Sequence, residues 1–145
     1  MLLERYKYSI NENFLDYEFN SEGPKGIIKK IVRFTYITEN VFNLAFGDLG
    51  EETGKISDMV VTNNSDSRKV LATVAATFYD FTLQYPEAVV LAKGSSYSRT
   101  RLYRMGITNH LSIINADFEI FGLKAGHWEL FKVEETYDAF LARRK

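Results

Sequence analysis

The alternation over residues 28–46 constrains the fold more than any other feature of this chain. From Ile28 to Tyr36 successive residues fall on two sides, and the side that begins with Ile28 is mostly apolar. A strand that is half buried in a sheet shows this period of two, because its side chains point alternately to opposite faces. Residues 38–40 then reverse the chain into Val41–Phe46, which alternates in the same way. The pattern predicts a β-hairpin.

A second periodic segment predicts the longest helix of the protein. From about residue 66 to residue 85 apolar side chains recur every three or four positions, as one buried helix face requires, and Pro86 ends the pattern. The preceding run of residues 63–67 is rich in side chains that cap helix N-termini. The apolar face consists of Val70, Val74, Phe78, Phe81 and Tyr85.

The remaining segments complete the prediction of an α+β fold. A chain of 145 residues that is 46% hydrophobic can bury one core, so we expect a single domain over residues 1–145. Strands towards both ends around two central helices indicate a largely antiparallel sheet with the helix of about residues 66–85 packed across it. The other predicted elements are strands over 5–10, 16–19 and 88–92, a shorter helix from about residue 95, a second hairpin formed by 117–122 and 127–133, and a C-terminal helix over 134–145.

The second hairpin has two distinct faces in this prediction. Phe118, Ile120, Trp128 and Leu130 are expected to share the core face, because they alternate with polar residues along both strands. The polar residues of the other face are Asp117, Glu119, His127 and Glu129. An exposed hairpin surface has the same composition as this set, so the residues present predict no metal and no cofactor.

Composition excludes several classes of protein. A formal net charge of -1 and a pI near 6.1 remove any bulk attraction to nucleic acid or to an anionic membrane, so such a partner would need a local patch. The absence of cysteine excludes a disulfide framework and a thiolate zinc site. No apolar run approaches the roughly 18 residues that span a bilayer, and the N-terminus lacks a signal-peptide pattern. We therefore expect a cytoplasmic protein without a membrane partner.

One local patch does stand out, at Lys93–Arg104. It lies within residues 88–116, which carry one Lys, three Arg and one His but no acid. A strand, Gly94 and a serine-rich helix start would leave unpaired backbone N–H groups at the positive end of a helix, which is a receptor for phosphate or carboxylate. The candidate ligand-binding residues are Lys93, Ser95, Ser96, Arg99, Arg101, Tyr103 and Arg104. A helix would place Tyr97, Arg101 and Arg104 along one side.

These residues favour a phosphate-bearing ligand, RNA or a nucleotide. Arginine suits forked contacts with phosphate oxygens, and tyrosine can stack on bases. An enzymatic version would resemble the small bacterial toxin-type ribonucleases, with arginine stabilising the transition-state charge and Tyr103, Lys93 or His110 moving protons. The segment lacks both the complete phosphate-loop motif and the Gly-x-Gly-x-x-Gly motif, so nucleotide hydrolysis is not indicated.

The same sequence allows plainer interpretations. The three arginines can be solvated or can pair with acids such as Glu51, Glu52 or Asp66, and Ser95 or Ser96 can be an ordinary N-cap. Helix capping likewise explains most of residues 63–69. The alternative is a ligand-binding site at the start of the long helix, to which Asn43 and Asp48 would also contribute. A function of a different class is a non-catalytic module for homo-oligomerisation or protein interaction, which would use an exposed strand edge or the arginine-bearing helix.

Four motifs together resemble a known family. They are Gly23-Pro24-Lys25-Gly26, then Asn43-Leu44-Ala45-Phe46-Gly47-Asp48, then Asn63-Asn64-Ser65-Asp66 with Lys69-Val70-Leu71-Ala72-Thr73-Val74, and Gly94-Ser95-Ser96 with Arg99-Thr100-Arg101-Leu102-Tyr103. Their succession is similar to a small bacterial family of about this length that is known only as a domain of unknown function. The resemblance covers nearly the whole chain and implies a free-standing cytoplasmic domain, without assigning catalytic residues.

Overall fold

A computed structural model describes residues 4–49, 56–57, 63–94 and 96–145. Within these ranges strands dominate both ends of the chain, and three helices lie between them. The strands are β1 (Ser9–Ile10), β2 (Asp16–Gly23), β3 (Gly26–Thr38), β4 (Val41–Leu49), β5 (Ile56–Ser57), β6 (Val89–Ala92), β7 (Phe118–Lys124), β8 (His127–Leu130) and β9 (Ala139–Arg144). The helices are α1 (Ser67–Gln84), α2 (Tyr97–Asn109) and α3 (Leu111–Asp117).

The described strands form one sheet in the order β1-β2-β3-β4-β6-β9-β7-β8, and β5 pairs with β4 outside this path. Only β4 and β6 run parallel among the described pairs. A parallel pair needs a long crossover connection, and α1 lies within it. The predicted α+β fold with a largely antiparallel sheet is therefore confirmed, as are the hairpin of β3 and β4 and the long helix.

The helices pack on one face of the sheet, which we call the helix face. Phe34 of β3 stacks on Phe81 of α1 with ring centroids 4.0 Å apart, and Phe42 of β4 meets the same ring edge-on. Phe118 of β7 packs against Phe78, about one helical turn before Phe81. These contacts follow from the strand period of two and the helix period of 3.6. Every second residue of a strand faces the helix, and every third or fourth residue of the helix faces the sheet.

The prediction of a C-terminal helix over residues 134–145 is wrong. Ala139–Arg144 is strand β9, which pairs with β6 on one side and with β7 on the other. The residues Ala139, Leu141 and Ala142 favour a helix intrinsically, but helix propensity is a weak preference that tertiary context overrides. Here two neighbouring strands supply hydrogen bonds to this segment, and Phe140 is buried in the core.

The expected faces of the second hairpin are only half right. Phe118 and Ile120 are buried, whereas Trp128 is 43% and Leu130 is 61% exposed. The turn consists of two residues, Ala125 and Gly126, both with positive φ, so Trp128 pairs with Leu123 and shares its side of the sheet. Turn length fixes register in a hairpin, and an odd shift moves every side chain of a strand to the other face.

None of the described helices is both long enough and apolar enough to cross a membrane.

Candidate functional site

Two of the predicted ligand-binding residues of α2 lie inside the protein. Arg99 is 5% exposed, and its guanidinium carbon lies 4.8 Å from the centre of the Phe46 ring. Tyr103 is also buried, with its hydroxyl 3.4 Å from the carbonyl oxygen of Leu44 and its ring edge-on to Phe46. This side of α2 therefore packs on β4, and Arg99 makes a cation–π contact there.

Two backbone amides of this segment already donate hydrogen bonds within the protein. The N–H of Gly94 donates to the hydroxyl of Thr100 at 3.2 Å, and the N–H of Arg99 donates to the Ser96 hydroxyl at 3.3 Å. Ser96 is thus the N-cap of α2, as the plainer interpretation of the sequence holds. A Cβ at position 94 would lie 2.4 Å from the Thr100 amide nitrogen, so close packing explains this glycine.

The remaining predicted residues that the structure describes are exposed or only partly buried. Lys93 is exposed, and Ser95 lies outside the described residues. Arg104 is partly buried and donates from Nη1 to the carbonyl oxygen of Glu135 at 3.3 Å. Arg101 is exposed. The structure therefore does not gather Lys93, Arg99 and Arg104 on one concave surface.

Arg101 instead lines a cavity of about 260 Å³ between α1, α2 and the hairpin of β3 and β4. We call this cavity the α1–α2 pocket. Its polar lining residues are Lys30, Asn63, Ser67 and Arg101. Its apolar lining residues are Phe46, Val70, Leu71, Leu102 and Met105. Two of the described residues that line it are basic and none is acidic.

Lys30 is the least expected member of the α1–α2 pocket. Its side chain is 1% exposed, and its Nζ lies 2.6 Å from Oδ1 of Asp48, its cross-strand partner on β4. Burial of an ammonium group costs free energy unless the group is paired and hydrogen-bonded. The fold meets this requirement at Lys30 by placing Asp48 beside it. The signal in the sequence is a lysine on the apolar side of the alternation from Ile28 to Tyr36, a signal that the prediction of the site overlooked.

The motif before α1 holds the start of this helix, whose first residue, Ser67, lines the pocket. Asn64 is buried, accepts from the Lys25 amide at 2.7 Å and donates to the Gly26 carbonyl at 2.9 Å. Asp66 is the N-cap residue of α1, but its carboxylate accepts from the hydroxyls of Tyr6 and Ser21 instead of from the helix. Both side chains therefore fasten the start of α1 to other parts of the chain.

Of the three acids that were possible partners of the arginines, Asp66 is the one that the structure describes, and its carboxylate has other hydrogen-bond partners. The Asp66 carboxylate accepts hydrogen bonds from the two hydroxyls just described. Glu51 and Glu52 lie outside the described residues.

The fold brings together motifs that are far apart in the sequence. A Cβ at Gly23 would lie 2.0 Å from the carbonyl oxygen of Asn64, so the turn between β2 and β3 and the start of α1 touch closely. Asp48, which pairs with Lys30, is the last residue of the motif over residues 43–48. These three motifs therefore meet around one end of α1.

Asn43, the first residue of that motif, lies on the other face of β4. It pairs with Thr35 on β3 and with Leu91 on β6. Successive strand residues point to opposite faces, and Phe46, three positions after Asn43, lines the α1–α2 pocket. Asn43 therefore does not join the pocket, whereas Asp48 shares the face of Phe46 and contacts the pocket residue Lys30.

A larger open groove of about 580 Å³ lies between the N-terminal segment and β2. Arg5, Lys7 and Lys29 line it, but so do Glu18 and Glu22. Lys69, a further lining residue, pairs with Glu4 at 3.2 Å. Charges of both signs therefore line this groove, whereas the described lining of the α1–α2 pocket has charges of one sign.

The polar face of the second hairpin does not assemble as a ligand set. Glu119 pairs with Arg143 at 3.1 Å, and Glu129 accepts a hydrogen bond from the Tyr137 hydroxyl at 2.8 Å. Among the residues that the structure describes, no group of three or more His, Asp or Glu side chains is placed to hold a metal ion.

Comparison with known proteins identifies the family. A family model described as a family of unknown function (DUF6934) matches residues 2–145, and the chain belongs to this family. The expected membership of a family of unknown function is thereby confirmed. No curated protein and no solved structure matches the chain.

Proposed function

We propose that this member of a family of unknown function binds a phosphate-bearing ligand, RNA or a nucleotide, in the α1–α2 pocket. The observation that carries the proposal is the combination of a buried cation, Lys30, and an exposed cation, Arg101, in the lining of one cavity. Asp48 is the counter-ion of Lys30, but no described residue of the lining itself is acidic. A phosphate group would meet both cations there.

The chemistry of the lining suits this ligand. Lysine acts as a compact point charge, whereas the guanidinium of arginine makes forked hydrogen bonds to phosphate oxygens. Ser67, which also lines the cavity, is the first residue of α1, an 18-residue helix whose first turn carries no acid. The helix dipole favours an anion at this end, where the carboxylate of the N-cap residue Asp66 already lies.

The size of the cavity limits how much of a ligand it can enclose. At about 260 Å³ it lies below the roughly 300–1,000 Å³ of pockets that bury a drug-sized molecule. It therefore suits one phosphate group and part of the attached nucleoside, with the apolar side chains of Leu71, Leu102 and Met105 against the sugar or base.

We propose binding rather than turnover. The groups that a ribonuclease of the toxin type would use to move protons include Tyr103 and His110, and both are buried. Nδ1 of His110 lies 2.8 Å from the carbonyl oxygen of Gly106, in the last turn of α2. Neither residue lines the α1–α2 pocket, and neither does Lys93, the third such group, which is exposed.

Fluorescence anisotropy with a labelled RNA oligonucleotide, and calorimetry with a nucleoside monophosphate, test the proposal. We expect Arg101→Ala to weaken binding about 10- to 150-fold, since a hydrogen bond to a charged group contributes about 1.5–3 kcal/mol. Arg143→Ala is the matched control, because Arg143 lies on the opposite face of the sheet and pairs with Glu119. Equal effects of the two substitutions, or no binding of either ligand by the wild type, would overturn the proposal.

A second candidate function is self-association through β8. This strand forms one end of the described sheet, and Trp128, Leu130 and the nearby Val133 are all exposed by more than two fifths. A second copy that covered them would bury apolar surface, which stabilises association. Sedimentation should then show a dimer that the double substitution Trp128→Ser, Leu130→Ser converts to a monomer. A monomer at all concentrations of the wild type would exclude this candidate.

A further inference from the structure

We infer that the ligand of the α1–α2 pocket is a single-stranded nucleic acid, and that Tyr97 stacks on one of its bases. This inference rests on the proposed function and names the class of ligand for the same site. It depends on three features of α2: an exposed aromatic ring, its spacing from two arginines, and Arg101, which lines both the pocket and the crease beside the ring.

Tyr97 is the exposed ring. It is 70% accessible and is the first residue of α2. A single exposed aromatic residue is ordinary on a protein surface. Its neighbours favour a role in binding, because Arg101 and Arg104 follow four and seven positions later on the same side of the helix.

Arg101 connects this side of α2 to the pocket. The same residue lines the α1–α2 pocket and a narrow crease that also contains Tyr97, Arg104 and Tyr137. A strand with one phosphate in the pocket would pass into the crease at Arg101. Tyr97 lies about 6 Å from Arg101 along the helix axis, from a rise of 1.5 Å per residue.

The charges along this path favour a polyanion. The described residues that line the crease include two arginines and no acid, and helix α2 itself contains no acid. Arg104 uses one N–H for the Glu135 carbonyl, while a guanidinium carries five N–H donors. Two carboxylates adjoin the crease: that of Glu135 is paired with Lys124, and that of Glu129 accepts the hydrogen bond of the Tyr137 hydroxyl at 2.8 Å.

Stacking explains why a single strand is favoured over a duplex. Bases in a single strand expose their faces, and an aromatic side chain that stacks on one contributes about 5- to 150-fold in affinity without selecting a sequence. In a duplex the bases already stack on one another, so Tyr97 could contribute nothing. Arg101 and Arg104 would hold the adjacent phosphates.

The test measures the affinity of four probes for the full chain: single-stranded RNA, single-stranded DNA, duplex DNA, and ribose 5-phosphate, which carries a phosphate but no base. Tyr97→Ala should weaken the binding of both single-stranded probes at least about 5-fold and change ribose 5-phosphate binding less than about 2-fold. Tyr97→Phe should retain single-strand affinity, because the ring remains. Tyr36→Ala, which removes another exposed ring on β3, is the matched control.

The outcomes separate the inference from the proposed function. Unchanged single-strand affinity in Tyr97→Ala, or a duplex that binds as tightly as the single strands, would overturn the inference. The proposed function would still stand if ribose 5-phosphate bound and Arg101→Ala weakened it. Failure of every probe to bind would overturn both. Equal binding of RNA and DNA supports the inference and shows that the ribose 2′-hydroxyl is not read.

Discussion

Replacing glycine by alanine at two positions of the α2 region should have opposite effects on stability. At Gly94 the new Cβ would lie 2.4 Å from the Thr100 amide nitrogen and 2.4 Å from the Arg99 Cβ. Ordinary contacts between carbon atoms are about 3.5–4.0 Å, so α2 must move by about 1 Å. At Gly106, within α2, the nearest atom is a terminal methyl carbon of Leu71 at 3.4 Å, which leaves room for the methyl group.

The magnitudes follow from these distances. Overpacking of this kind costs about 1–3 kcal/mol, whereas alanine in place of glycine inside a helix gains about 0.5–1 kcal/mol. For a chain of this size 1 kcal/mol shifts the Tm by about 2–4 °C, so Gly94→Ala should lower the Tm by about 2–12 °C and Gly106→Ala should raise it by about 1–4 °C. Thermal and urea unfolding followed by circular dichroism measure both. A Gly94→Ala protein as stable as the wild type would refute the packing of this connection against α2.

Other substitutions and conditions test the remaining contacts. Asn64→Ala leaves the Lys25 amide and the Gly26 carbonyl without their partner, which should cost about 1–3 kcal/mol in urea unfolding for each of these groups that stays unpaired. An unchanged free energy of unfolding would contradict this role. Burial raises the pKa of Tyr6 and of Tyr79, so the folded protein holds their protons above pH 10, where the unfolded chain ionises. Their contribution to stability should be complete below about pH 10 and lost as the pH rises further. In a titration to high pH, phenolate absorbance of every tyrosine well below the pH of unfolding would contradict the raised pKa of Tyr6 and Tyr79.

Periodicity predicted the elements whose side chains repeat over many residues. The helix expected over about 66–85 is Ser67–Gln84, and the expected first hairpin is present as β3 and β4. Short segments at the C-terminus were not predictable in this way. Six residues of β9 hold too few periods to distinguish strand from helix, and their structure depends on β6 and β7, which come from distant parts of the chain.

The candidate site was predictable only in part for the same reason. Arg101 was identified from the acid-free segment, but the packing of Arg99 and Tyr103 against β4 depends on which side of α2 meets the sheet. Lys30 comes from a strand in the first third of the chain, and only the hairpin register places Asp48 beside it. Sequence spacing alone contains no information that Lys30 and Arg101 line one cavity.

The most direct test of the central claim is an NMR titration of the isotope-labelled full chain with a nucleoside monophosphate. If the α1–α2 pocket binds the phosphate group, the backbone amide signals of Ser67, Leu71 and Leu102 should shift with one common saturation curve, and those of Glu119 and Arg143 on the opposite face of the sheet should not move. Shifts confined to other surfaces, or none at saturating ligand, would contradict the claim.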